Sequence, residues 1–167
     1  MYKRLLRDRY WEGREVREVH LVGGHSVGMS YQEQTTLMTV ANRLAIGDLT
    51  ARYNRALETG DLETWIGTFV QDGVLRAPGE SFSGHRELVG FFRSAPPDRI
   101  RVTTDAQVDI DGVNARQDCR FLTLRPGRNG GGPEVEAVGR HRDVLIYERG
   151  RWYFSSREVV ADLSPAS

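Results

Sequence analysis

Hydrophobic positions follow two regimes along the chain. In the first, Ile46, Leu49, Tyr53, Ala56 and Leu57 recur at spacings of three and four, which predicts one buried helical face. Thr39 is the expected N-cap of that helix, and Gly60 its end. Asp61 then caps a second helix in which Leu62, Trp65, Ile66 and Phe69 repeat the pattern. Gln71-Asp72-Gly73 reads as a turn and Val74-Leu75-Arg76 as a short strand stopped by Pro78-Gly79. Ser83-Gly84 opens a third helix with Leu88, Phe91 and Phe92 on its buried side, closed by Pro96-Pro97.

In the second regime apolar and polar positions alternate. Val102, Thr104, Ala106, Val108 and Ile110 interleave with Arg101, Thr103, Asp105, Gln107 and Asp109, and Asp111-Gly112 is a hairpin turn. Further strands are expected over Ala115 to Leu124, Val135 to Tyr147 and Trp152 to Val160, with a Gly- and Pro-rich loop at 126–133 and a tight turn at Arg149-Gly150. Helices first and long strands after is the α+β pattern. It predicts a curved antiparallel sheet, cone-shaped, with three N-terminal helices on its concave face. Helices cannot fill such a cone, and the space left is a natural small-molecule pocket. The expected organisation is an extension over 1–37, the α+β domain over 38–160 and a polar tail over 161–167.

The chain has 167 residues, which suits one domain, and 23 Lys+Arg balance 23 Asp+Glu. Zero net charge argues against a nucleic-acid partner held by a basic field. No run approaches the roughly 18 apolar residues of a membrane span, and no apolar stretch follows the basic start as in a secretory signal, so a cytoplasmic protein is expected. The single cysteine, Cys119, excludes an internal disulfide and any multi-thiolate metal site. Lys3 is the only lysine, which removes Schiff-base chemistry from the body of the domain. His20, His25, His85 and His141 are scattered without ligand spacing, so neither metal nor cofactor is expected.

The run from Ile46 through Tyr53-Asn54-Arg55-Ala56-Leu57-Glu58-Thr59-Gly60-Asp61 resembles the opening helices of SnoaL-like domains, members of the nuclear-transport-factor-2-like superfamily. Trp65…Phe69…Asp72-Gly73, Ser83-Gly84-His85-Arg86-Glu87, Asp111-Gly112-Val113-Asn114-Ala115, Gly139-Arg140-His141-Arg142-Asp143 and Arg149-Gly150-Arg151-Trp152 follow in the same order. The resemblance covers 38–160. It implies the cone fold and a homodimer through the outer sheet face. The superfamily holds dehydratases, isomerases, polyketide cyclases, a dehydrochlorinase, small subunits of ring-hydroxylating dioxygenases and proteins without catalysis, so fold leaves function open.

Tyr53 is the first chemical candidate. On an apolar helix face its hydroxyl needs a partner, either a ligand or a core carbonyl. The resemblance places it where isomerases and dehydratases present a phenol to substrate. Glu58, at the helix end, matches the position of a catalytic carboxylate in such relatives; plain solvent exposure is the other reading. His141 and Asp143 share one face of a strand with Ala137 and Gly139, whose small size leaves room for a ligand; the other reading is a surface ladder of His, Arg and Asp on an outward sheet face. His141 is an acid–base candidate, and the resemblance sets Asp143 near a protonated, oxyanion-stabilising acid.

Departures from the family pattern carry equal weight. Ala77 stands before Pro78 where the isomerase base is an aspartate. Arg101 stands where the dehydrochlorinase has its histidine; a guanidinium is no base, but it can bind a carboxylate or enolate, unless it is simply a surface residue on an edge strand. Trp65, Phe69, Phe92 and Phe121 are core aromatics whose inner ends can line the pocket. Cys119 reads as a packed core thiol, and His85 as structural.

The resulting expectation is a cofactor-independent enzyme of dehydratase, isomerase or cyclase type. It would act by acid–base chemistry on a hydrophobic, oxygenated small molecule. The alternatives are a non-catalytic small-molecule-binding or dimerisation module of the same fold, and a dioxygenase small subunit.

Overall fold

The computed structural model describes residues 28–127 and 130–163. Most of the expected N-terminal extension, with His20 and His25, and the end of the expected tail lie outside the described residues.

Helix α1 spans Tyr31–Thr59, so it starts well before Thr39. Its N-cap is Ser30, in a capping box: Glu33 N–H donates to Ser30 Oγ (3.3 Å) and Ser30 N–H donates to a Glu33 carboxylate oxygen (2.8 Å). Thr39 is interior to the helix, and its hydroxyl donates back to the Thr35 carbonyl at 3.0 Å. The amphipathic stripe misplaces the start because it begins only at Ile46, while Leu37, Met38, Val40 and Leu44 on the earlier turns are exposed. Gly60 ends the helix in the left-handed conformation at φ 70°, as the sequence indicates.

Helix α2 is one short turn, Leu62–Ile66, capped by the Asp61 carboxylate on Thr64 N–H at 3.0 Å. Phe69, expected on this helix, instead opens strand β1, Phe69–Ala77. The turn expected at Gln71-Asp72-Gly73 is an irregularity inside β1, where the pairing register shifts between Phe69 and Val74. Beyond Pro78-Gly79 the chain returns as β2, Glu80–Ser83, and then forms helix α3, Gly84–Ser94. Strands β3 (Ile100–Asp111), β4 (Asn114–Arg125), β5 (Glu134–Glu148) and β6 (Arg151–Leu163) complete the chain.

The six strands form one curved, unclosed sheet in the order β2-β1-β6-β5-β4-β3. Neighbours are antiparallel except β1 and β6, which run parallel. Helix α1 lays Ile46, Leu49, Tyr53, Ala56 and Leu57 against the concave face, where they meet Trp65, Phe69, Leu88, Leu145, Trp152 and Phe154 in a single core. Tyr53 packs at ring-centroid distances of 5.5 Å from Trp65, 6.0 Å from Phe69 and 5.8 Å from Phe154. Asn42 anchors the helix on the sheet by accepting the Trp152 indole N–H at 3.0 Å.

Bulges in β3 and β6 change which of their side chains face the core. In β3, Thr104 pairs with Arg120 and Gln107 with Asp118, so Asp105 and Ala106 together oppose Cys119. Asp105 takes φ 53°, a left-handed geometry that aspartate tolerates better than most residues. The alternation therefore changes face: Val108 and Ile110 point inward at one end, Arg101 and Thr103 at the other, and Val102 lies exposed on the outside. In β6, Phe154 pairs with Leu145 and Ser156 with Val144, leaving Ser155 as the extra residue. Trp152 and Phe154 face inward before it, Arg157 after it.

Candidate functional site

The bulge at Ser155 carries a guanidinium into the interior. Arg157 lies opposite Asp143, which in turn lies opposite Gln117, so the three form a row across β6, β5 and β4. Arg157 Nε donates to Asp143 Oδ1 at 2.8 Å and Nη2 to Oδ2 at 2.7 Å, with both side chains fully buried. Gln117 Nε2 donates to Asp143 Oδ2 at 2.9 Å and reaches Thr50 Oγ1 of α1 at 3.0 Å. The Arg157 guanidinium is sandwiched, 4.3 Å from the Tyr53 ring centroid and 4.0 Å from that of Phe154. Burial alone would favour loss of its proton. The charge of Asp143 and its hydrogen bonds outweigh this and hold the guanidinium above its ordinary pKa.

This geometry corrects the expectation of a neutral Asp143. Its two oxygens accept three N–H donors, and a carboxylic acid proton would have no acceptor among them. Asp143 is the carboxylate of a buried ion pair, not a free oxyanion-stabilising acid.

Beside this row lies a cavity of about 130 Å³, lined by Tyr53, Asn54 and Leu57 of α1, Phe91 of α3, Arg101 and Thr103 of β3, Phe121 and Thr123 of β4, His141 of β5 and Val159 of β6. Tyr53 and His141, far apart in sequence, share its wall. Burial raises the Tyr53 pKa against the opposing charges of Arg157 and Arg101, so the phenol stays protonated and can donate. Burial, and then the nearby Arg157 charge, hold the His141 pKa well below the ordinary value, so the imidazole is neutral at pH 7. Its ring stacks on Phe121 at 4.6 Å, and its Nδ1 is buried without a partner among the described residues.

Arg101 reaches the cavity because the β3 bulge turns it inward. Its Nη1 donates to the Arg99 carbonyl at 3.3 Å and its Nη2 to the Pro96 carbonyl at 3.2 Å. The Glu58 carboxylate accepts the backbone N–H of Arg101 at 2.5 Å, tying the end of α1 to β3. Glu58 is therefore not the plainly solvent-exposed side chain of one reading: it is half-buried, with one carboxylate oxygen engaged by a backbone N–H. Asn54 Nδ2 donates to Thr103 Oγ1 at 2.7 Å, which leaves the Thr103 hydroxyl proton free to donate elsewhere.

The expected aromatic lining divides. Phe121 is on the wall, but Trp65, Phe69 and Phe92 pack in the core behind it, and Phe91 takes the place expected of Phe92. The room left by Gly139 does not go to a ligand. A Cβ there would lie 2.1 Å from the Val160 carbonyl oxygen and 2.8 Å from the Phe121 ring, which together occupy the space. Ala77 lies away from the cavity, on an open groove with Arg76, Pro78 and Glu158–Ala161. Burial pushes the Cys119 thiol up to about 12, with the Asp143 charge adding to it, so this cysteine is no nucleophile. His85 approaches the Phe69 carbonyl at 3.4 Å.

Sequence reasoning missed Arg157, Gln117, Thr50, Asn54 and Thr103. Strict alternation puts Arg157 on the outer face with Arg151, and only the extra Ser155 reverses it. The available hint was the polar pair Ser155-Ser156 interrupting an apolar strand.

No helix among the described residues is long and apolar enough to cross a membrane. No curated protein sequence matches the chain. Solved structures do. An NTF2-like protein with a cystatin-like fold from Novosphingobium aromaticivorans superposes with TM-score 0.73 at 21% identity, over 84% of this chain and 95% of that one. A candidate scytalone dehydratase from the same organism gives 0.68 at 16%, over 77% and 89%. A Catenulispora acidiphila protein solved in complex with S-DNPA gives 0.64 at 30%, over 74% and 95%. The family model for the SnoaL-like domain matches residues 38–158, and with that match spanning most of a chain that has the cystatin-like fold, the chain belongs to the SnoaL-like domain family.

Proposed function

We propose that this chain is a cofactor-independent enzyme that moves protons on a small, largely apolar, oxygenated molecule bound in the cavity. The observation that carries the reading is the meeting of a protonated phenol, Tyr53, and a neutral imidazole, His141, on one cavity wall. His141 takes a proton from the carbon beside a carbonyl, and Tyr53 donates a hydrogen bond to the enolate oxygen that forms. The imidazolium so made lies near the Arg157 charge, so it gives its proton up again readily. Returned to a hydroxyl on the next carbon, the proton leaves as water and the net reaction is dehydration; returned to another carbon, the net reaction is isomerisation. Asp143 acts through Arg157, holding the guanidinium against the Tyr53 ring, and Glu58 positions the β3 segment that carries Arg101.

The similarity to a candidate scytalone dehydratase supports lyase chemistry, and that to a protein solved in complex with S-DNPA supports binding of a small molecule. A homodimer through the outer sheet face belongs to the same reading. Exposed Val102, Val135 and Val144 supply apolar surface for it, and sedimentation equilibrium of wild type against Val144→Glu tests it.

The test of catalysis is transfer of solvent deuterium. Single-ring ketones and β-hydroxy ketones are incubated with the chain in heavy water and followed by NMR. Deuterium enters beside the carbonyl, and His141→Ala and Tyr53→Phe each slow it by about tenfold or more. Exchange at equal rates in wild type and both variants would remove the assignment. A second reading, a binding module without turnover, is favoured by the engagement of both carboxylates, Asp143 by Arg157 and Gln117 and Glu58 by a backbone N–H. It predicts ligand binding with no exchange at all.

A further inference from the structure

The cavity has an uneven chemistry. Leu57, Phe91, Phe121 and Val159 make an apolar part, while Arg101, Thr103 and Tyr53 bring N–H and O–H donors to the rest. Among the described residues, no carboxylate lines it. Among the described residues, Arg101 forms no ion pair through its guanidinium, whose hydrogen bonds go to two backbone carbonyls. Glu58 and Glu136 act on the guanidinium through their charge alone, and one Glu58 carboxylate oxygen takes the Arg101 backbone N–H. Thr103 is held by Asn54 as an acceptor, which aims its own proton away from that bond. A half-buried guanidinium beside a free hydroxyl is a site for a planar anion, because charge-assisted bonds to two oxygens restore what the cation loses on leaving water.

Size narrows the class. The cavity volume of about 130 Å³ is close to the roughly 150 Å³ that accommodates one benzene ring. We propose that the cavity binds a small monocarboxylate, its carboxylate on Arg101 and Thr103 and its apolar body, about one ring in size, against Phe91, Phe121 and Val159. This inference rests on the cavity being the substrate site, and it names the substrate class of that site. Arg101 is here a binding residue that sets specificity, and Tyr53 and His141 keep their roles.

The experiment is calorimetric titration of the full chain at neutral pH with benzoate and phenylacetate, and with the uncharged benzamide and benzyl alcohol. The carboxylates bind about tenfold or more tightly than the neutral rings. Arg101→Gln loses that advantage while retaining the affinity for the neutral rings, and Arg101→Lys, which keeps the charge, restores part of it. Equal binding of benzoate and benzamide to the wild type overturns the inference and leaves the cavity reading intact. So does an Arg101→Gln variant that binds the neutral rings and prefers benzoate as strongly as wild type does. Failure of all four compounds to bind at millimolar concentration overturns both. The wild-type comparison stands whether or not the variants fold.

Discussion

Asp143 and Arg157 face each other across β5 and β6 and close a bidentate ion pair, both side chains fully buried, at 2.7 and 2.8 Å. Such a pair costs desolvation that its mutual attraction offsets only with good geometry. Losing one partner leaves an uncompensated buried charge. Asp143→Asn and Arg157→Met are each expected to lower stability by about 3–5 kcal/mol in urea titrations. The double variant Asp143→Leu/Arg157→Met should lose far less than the two single losses combined. Additive losses would show that the two residues act separately.

His141 makes stability depend on pH. Its folded pKa is depressed below the unfolded value of about 6.5, so as pH falls through that value the unfolded chain takes up a proton that the folded chain refuses. Stability from this group is whole above the unfolded pKa and is lost as pH falls toward the folded one, with a limiting slope of about 1.4 kcal/mol per pH unit. Denaturant melts of wild type should therefore decline more steeply with acid than those of His141→Gln. Parallel curves for the two proteins would contradict the neutral, buried imidazole. The same depression keeps the free base available in mild acid, so the acidic limb of any rate profile that depends on it should fall below the ordinary histidine range.

Gly139 is irreplaceable for a reason other than the one its size suggests. A methyl there meets a backbone oxygen at 2.1 Å as well as the Phe121 ring. Gly139→Ala is expected to cost at least about 1–3 kcal/mol, the range for overpacked sites. Adding Phe121→Ala should not recover it, because the Val160 carbonyl remains. Full recovery in the double variant by thermal melting would locate the conflict in the ring alone.

The Ser30–Glu33 capping box holds the start of α1, where the helix projects with its side chains exposed through Val40. Ser30→Ala should weaken that end by about 1 kcal/mol. The loss should appear as roughly fivefold faster amide exchange over residues 34–40, with the global urea midpoint unchanged. A shifted midpoint would mean that this segment unfolds together with the core.

What the sequence by itself determined is local. The stripe from Ile46 to Leu57, the Gly60 stop, the Asp61 cap and the hairpin turns at Asp111-Gly112 and Arg149-Gly150 are properties of neighbouring residues, and they suffice for an α+β cone. The inward face of β5, with His141 and Asp143, was also legible, because that strand keeps its period between Gly139 and Asp143. Tertiary structure alone decided the chemistry around them. One extra residue in β6 turns Arg157 inward to take Asp143, and one in β3 turns Arg101 and Thr103 toward the cavity. A period-two pattern carries no information past an inserted residue, since each bulge inverts every side chain beyond it and only pairing with the neighbouring strand places the bulge.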